Sequence, residues 1–200
     1  MLNKNETKIL EKLVEKISLD LTLSDLSKEL KQKYPQTHKS IQNLEKTGII
    51  KIKDIGKSRI VKLDFSKNHP EYSIAEIERL NQAVKNKEIQ IVLNKILNIN
   101  KQFVCILFGS YASSTFKKDS DIDLLFIIPE EYDEDKFEKI TKNSLSANNA
   151  DINIIKEGSL FEMWAAPDKL NVGNELLKSH IVLAGAEYFM NLVRKKYVGR

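Results

Sequence analysis

Two kinds of hydrophobic spacing alternate along the chain. Leu10, Leu13, Val14 and Ile17 recur three and four residues apart, which predicts a helix over residues 6–18. Ser24 is a good N-cap for a second helix carrying Leu26 and Leu30 on one face. Pro35 interrupts, because the residue before a proline is pushed out of helical geometry. Thr37 then caps a third helix over residues 38–46 with Ile41 and Leu44 as its buried face, and Gly48 stands where a left-handed residue ends it. Period two takes over in residues 49–53 and 59–63, which flank Asp54-Ile55-Gly56-Lys57-Ser58 as the arms of a hairpin. The stretch 64–73 is polar, contains Pro70 and shows no apolar periodicity. Helical spacing returns from residue 74 to about 99, where Ile77, Leu80, Val84, Ile91, Val92, Ile96 and Leu97 form a broken stripe on one long helix or two in sequence. The continuous apolar runs 104–108 and 124–128 read as strands covered on both faces. A third strand follows at residues 150–156 after a helix at 135–145, and the apolar positions between 174 and 197 predict one or two closing helices packed on the sheet or on a second protomer.

Composition narrows the class. The 200 residues suit one large domain or two small ones, and 42% apolar with 30% charged residues is enough for a packed core. Seven Gly and four Pro exclude collagen-like and low-complexity chains. No apolar run approaches the ~18 residues of a membrane span, and the start, MLNKNETKIL, lacks the apolar stretch of a signal peptide. The expectation is a cytoplasmic protein with no membrane partner. The single cysteine, Cys105, makes no internal disulfide or zinc spacing and reads as a small buried apolar residue. The net charge of +4 is unevenly divided. Residues 1–68 hold 15 Lys and Arg against 9 Asp and Glu, while residues 69–200 hold 17 against 19. A basic front and a slightly acidic back suggest two domains with different partners, nucleic acid being the natural one for the first.

Three helices and a hairpin in a basic segment of this length resemble a winged helix-turn-helix, and IQNLEKTGIIKIKDIGKSRIVKL is similar to the recognition-helix end and wing of that family. The resemblance implies that the third helix enters the major groove of duplex DNA. His38, Lys39, Gln42 and Asn43 would face the bases there, with Lys57 and Arg59 as phosphate contacts of the wing.

The chemistry concentrates in FVCILFGSYASSTFKKDSDIDLLFII, residues 103–128. A strand alternates its side chains, so Asp121 and Asp123 share one face while Ile122 points to the other. Two neighbouring carboxylates at the mouth of a buried strand repel each other, and a divalent cation relieves that repulsion. Asp151 begins the next strand candidate, 28 residues after Asp123, and adds a third carboxylate. Asn153 and Asp135 are the alternatives for that third place. Such a set can hold two metal ions for an in-line phosphoryl displacement. His180 and Trp164, with Met163, read as core, and Arg194-Lys195-Lys196 as a solvated helix end.

Gly-Ser, a spacer, Asp-x-Asp between apolar residues and a later strand Asp resemble the DNA polymerase beta-type nucleotidyltransferase superfamily, above all its minimal prokaryotic branch. The resemblance covers residues 90–160 most clearly. It implies an α+β fold in which a winged helix-turn-helix (residues 1–68) and a connecting helix (69–102) precede a small mixed sheet flanked by helices (103–200). It implies Asp121, Asp123 and Asp151 as catalytic metal ligands for Mg²⁺ or Mn²⁺. Gly109 and Ser110 would hold the triphosphate of an NTP, ATP foremost. That branch carries Arg or Lys and then Gly after GSYA, where this chain has Ser113 and Ser114, so Lys117 or Lys118 would supply the positive charge. The activity implied is NMP transfer to a hydroxyl on a protein, nucleic acid or small molecule, by analogy including a partner toxin modified by an antitoxin. A homodimer is a further expectation. The alternative is a DNA-binding regulator whose second domain only senses nucleotide.

Overall fold

The computed structural model describes residues 2–56, 58–117 and 119–199; Lys57 and Lys118 lie outside the described residues. The N-terminal part runs α1 (Lys4–Glu15), β1 (Leu21–Thr22), α2 (Leu23–Glu29), α3 (Tyr34–Lys46), β2 (Ile50–Ile55) and β3 (Ser58–Leu63). The strands form an antiparallel sheet in the order β1-β3-β2, with Ile55 opposite Ser58 closing the hairpin through Gly56 at φ +60°. Capping sets the helix starts. Asn3 and Glu6 form a reciprocal capping box for α1. Thr22 and Asp25 do the same for α2, so the cap lies two residues before the expected Ser24. The third helix also differs from expectation: it begins at Tyr34, with Pro35 inside its first turn, where a missing N–H is no loss. Thr37 is therefore a fully buried helical residue, its hydroxyl 3.4 Å from Gln32 Oε1 and from the Lys33 carbonyl, and caps nothing. Gly48, at φ +75°, ends α3.

The second part comprises α4 (Pro70–Ala83), α5 (Lys87–Leu97), β4 (Val104–Leu107), α6 (Gly109–Ala112), β5 (Ile122–Ile128), α7 (Glu134–Leu145), β6 (Ala150–Lys156), α8 (Glu157–Ala165), α9 (Val172–Leu176), β7 (Ile181–Ala184) and α10 (Ala186–Val198). Its four strands lie in the order β6-β5-β4-β7. The β5–β6 pair is parallel, joined through α7, and the other two pairs are antiparallel. The expected closing helices thus enclose a strand: Ile181–Ala184 pairs with β4, and the long closing helix is α10 alone. A four-residue apolar run is ambiguous between helix and strand until a partner edge receives it.

Helices cover both faces of this sheet. Cys105, Leu107, Leu124 and Phe126 meet Ile89, Val92 and Ile96 of α5 and Phe137 of α7. On the other face Val104, Ile106, Leu125 and Ile127 meet Leu160, Trp164, Phe189 and Leu192, in one apolar cluster that continues into Leu10, Val14, Ile41 and Val61 of the N-terminal part. Burial raises the Cys105 thiol pKa well above its ordinary value, in keeping with a small apolar residue. The helical stripe over residues 74–99 divides differently from its spacing: Val92 and Ile96 are buried, while Ile77, Ile91 and Leu97 are exposed. The buried side of α4 is Tyr72, Ala75, Glu76 and Arg79. Arg79 donates to Glu76 Oε2 at 2.7 Å and to the His180 carbonyl, and His180 Nε2 lies 3.0 Å from Glu76 Oε1. His180 is core, as expected, but core in contact with a buried carboxylate. The Arg194-Lys195-Lys196 run is not simply solvated either: Arg194 bonds the Phe65 carbonyl, Lys196 bonds the Trp164 carbonyl, and Lys195 alone of the three is exposed.

Candidate active site

Strand register gathers the acidic residues. β4 runs antiparallel to β5 with Leu107 opposite Leu124, and the Phe108 amide donates to the Asp123 carbonyl at 3.0 Å. The chain leaving β4 therefore turns over the start of β5. Parallel pairing then sets Asp123 directly opposite Asp151, on neighbouring strands ~4.8 Å apart. Side-chain alternation puts Asp123 and Leu125 on one face of β5, matched by Asp151, Asn153 and Ile155 on β6, and Asp121 stands just before the strand. Leu125 and Ile155 belong to the core shared with the N-terminal part, so the carboxylates occupy the open end of that face.

Asp121 and Asp151 are exposed and Asp123 is half-buried. Partial burial, then the charges of Asp151 and Asp121, raise the Asp123 pKa above its ordinary value, and the Ser110 amide hydrogen-bonded to the carboxylate offsets part of this. Among the described residues no group of three or more His, Cys, Asp or Glu side chains is placed to hold a metal ion. Like charges in register hold apart until something neutralises them. Asn153 donates to Asp151 at 3.3 Å and so orients that carboxylate. Asp135 sits in the first turn of α7, beyond the C-terminal end of β5, and is therefore at the opposite end of the strand from Asp123.

Gly109 turns the chain at φ +67°, and a Cβ there would overlap the Asp123 carboxylate. Only glycine lets the backbone pass so close to that charge. Ser110 and Tyr111 follow in the single turn of α6. Ser113 Oγ bonds back to the Gly109 and Ser110 carbonyls at 3.0 and 3.2 Å. Ser114 adopts φ +58°, a left-handed conformation that disfavours any side chain. Lys117 is exposed on the loop leading to Asp121.

Of the residues expected to read DNA, Lys39 and Gln42 are exposed on α3 and His38 is half-buried, stacked on Tyr34. Asn43 is exposed but donates to Glu6 Oε1 at 3.1 Å, and Arg59 pairs with Asp54 at 3.5 Å on the hairpin. Sequence reasoning passed over two aromatic residues beside the Gly109 turn: Tyr111, whose hydroxyl donates to Glu88 at 2.5 Å, and Phe116, stacked on it. Their signal was two aromatics five residues apart within an otherwise polar loop.

Residues 89–163, from α5 through β4, α6, β5, α7 and β6 into α8, match the family model described as a nucleotidyltransferase domain. No curated protein and no solved structure matches the chain.

Proposed function

We propose that the nucleotidyltransferase domain of this chain moves a nucleoside monophosphate from an NTP to a hydroxyl acceptor, and that residues 1–68 form a winged helix-turn-helix that binds duplex DNA. The observation that carries the first part is the register pairing Asp123 with Asp151 beside the Gly109 turn, with the charge of Asp121 acting on Asp123. An exposed, mutually repelling carboxylate set fits a hard divalent cation. Asp121, Asp123 and Asp151 would hold Mg²⁺ or Mn²⁺, which when bound neutralises charge on the transferring phosphoryl group. The glycine turn admits the triphosphate, the Ser110 hydroxyl donates to it, and Lys117 and Lys118 add positive charge. Asp151, oriented by Asn153, takes the proton as the acceptor oxygen attacks the α-phosphorus. The new P–O bond forms as the α–β bridge breaks and pyrophosphate leaves.

The acceptor hydroxyl belongs to a partner, whether a toxin protein, a nucleic-acid end or a small molecule, or to a second copy of the chain. With α-labelled NTP and Mg²⁺ or Mn²⁺, label is expected on a component of the native host lysate. Asp151→Asn lowers that labelling more than ~100-fold while leaving NTP binding largely intact, since Asp121 and Asp123 remain. Full labelling by this variant would overturn the role given to Asp151. One observation favours a second reading, a DNA-binding regulator that only senses nucleotide: Ser113 stands where the resemblance expects a cation, and its hydroxyl is turned back onto the Gly109 and Ser110 carbonyls. No label transfer with any of the four NTPs and either metal would make this the better account.

For the N-terminal part, the support is the order of three helices and a hairpin together with the exposed Lys39 and Gln42. A mobility shift on duplex DNA is expected to weaken steeply with salt. Replacing Lys57 and Arg59 by Ala flattens the slope of log K against log salt by about 1–2. Absence of any shift at low salt would remove the DNA reading and leave the transferase intact.

A further inference from the structure

The loop after the glycine turn holds an aromatic pair that none of the chemistry above employs. Tyr111 is 4% exposed, one residue beyond Ser110, and its hydroxyl is fixed by the Glu88 carboxylate in the first turn of α5 at 2.5 Å. On it lies Phe116, with ring centroids 4.4 Å apart and planes 3° from parallel. Phe116 remains 42% exposed. One face of its ring is covered by Tyr111, and the exposure belongs to the remainder. The loop ties the chain just before this ring to the glycine turn. The Thr115 amide donates to the Ser110 carbonyl at 2.9 Å, and Thr115 Oγ1 lies 2.8 Å from Ser113 Oγ, so residue 116 comes directly after a segment folded back over the Gly109-Ser110 turn.

Phe116 packs one face on Tyr111 and leaves the rest of its ring to water. That uncovered part is apolar area which a stacking partner would remove from water. Its orientation is set in advance, since Tyr111 is anchored at its far end and Phe116 lies flat on it, so little rotamer freedom is left to lose on binding. Every nucleobase offers a π-face of matching size. We infer that Phe116 is the nucleobase platform of this site: the base of the incoming NTP stacks on the open face of Phe116 while its phosphates lie over the Gly109-Ser110 turn. The inference rests on the nucleotidyltransferase reading and deepens it. Stacking grows with ring area and uses no hydrogen-bond code, so the platform favours purine over pyrimidine nucleoside triphosphates without choosing between ATP and GTP.

Binding of the four NTPs and of inorganic tripolyphosphate to the full chain, measured by calorimetry with Mg²⁺, tests this. Phe116→Ala is expected to weaken ATP and GTP about 5- to 150-fold, the equivalent of the ~1–3 kcal/mol that stacking on one base contributes, and to leave tripolyphosphate unchanged. Phe116→Tyr keeps the affinity. Phe116→Trp keeps it and reports the base directly, through fluorescence quenching by ATP that tripolyphosphate does not produce. Equal weakening of ATP and tripolyphosphate in Phe116→Ala would show that the ring only shapes the loop, and unchanged ATP affinity would show that the base lies elsewhere. Either result overturns the platform and leaves the transferase reading standing. Wild-type protein that binds neither nucleotide nor tripolyphosphate would remove both.

Discussion

At the contact between α4 and β7 a carboxylate, that of Glu76, is shut off from water completely. At the start of β5 another, that of Asp123, keeps a water-facing side. Burial by itself raises the pKa of both. For Glu76 the charges of Arg79 and His180 outweigh that burial, and the carboxyl is held below its ordinary value. For Asp123 the neighbouring charges are Asp151 and Asp121, which add to burial, and the carboxyl is held above it. One group is neutralised from within the chain, the other is left for something outside the chain to neutralise. The difference separates a carboxylate that holds the fold together from one that stores repulsion at a site.

Removing the first should have the largest effect on stability. Glu76→Gln leaves Arg79 and His180 facing an uncharged amide in the core, which costs about 3–5 kcal/mol and lowers the melting temperature by roughly 6–20 °C for a chain of this size. The wild-type contribution is complete above the ordinary value of 4.5 and is lost as pH falls through the depressed folded value. The gap between the two proteins should therefore narrow in acid, and a series of melting curves across pH shows whether it does. A gap independent of pH would mean that packing, not charge, makes the contact.

Relief of backbone strain beside the site is an intermediate case. Ser114→Gly removes a side chain from a left-handed position, and the gain is up to about 1 kcal/mol, since glycine gives back part of it through its freer unfolded chain. That corresponds to a rise of ~2–4 °C, read by calorimetry, and a fall would mean that the Ser114 side chain makes a contact worth more than its strain. The smallest shift belongs to Asp123→Asn, and it should be upward. Because the folded pKa is raised, the ionised carboxylate weakens the fold as pH climbs through that value, and the asparagine does not. The variant should melt slightly higher at neutral pH, with the difference vanishing below the ordinary 3.8, and should lose nucleotidyl transfer altogether. A lower melting temperature at neutral pH would place Asp123 in the same class as Glu76.

The placement of the candidate site residues was legible because they are close in sequence or carried on period-two strands. Gly109-Ser110 ends one apolar run, Asp121 and Asp123 open the next, and Asp151 opens a third. Asp123 and Asp151 thus announced both their strands and their faces. The helix starts were less legible, since Thr22 and Ser24 are both good caps and only the reciprocal bond from Asp25 chooses between them. Phe116 was passed over because an aromatic residue in a loop signals nothing until its partner, Tyr111, is seen beneath it.

Local spacing determined which segments become helices and strands, and which faces of the strands carry acid, because those properties depend on neighbours within a few residues. Whether Ile181–Ala184 is helix or strand was decided by the open edge of β4. Which side of α4 is buried was decided by His180, 104 residues from Glu76. Hydrophobic periodicity cannot report a buried side that contains Glu76 and Arg79, since such a pair enters a core only where its remaining polar atoms find partners, here the side chain and carbonyl of His180. Those partners exist only once the chain has closed.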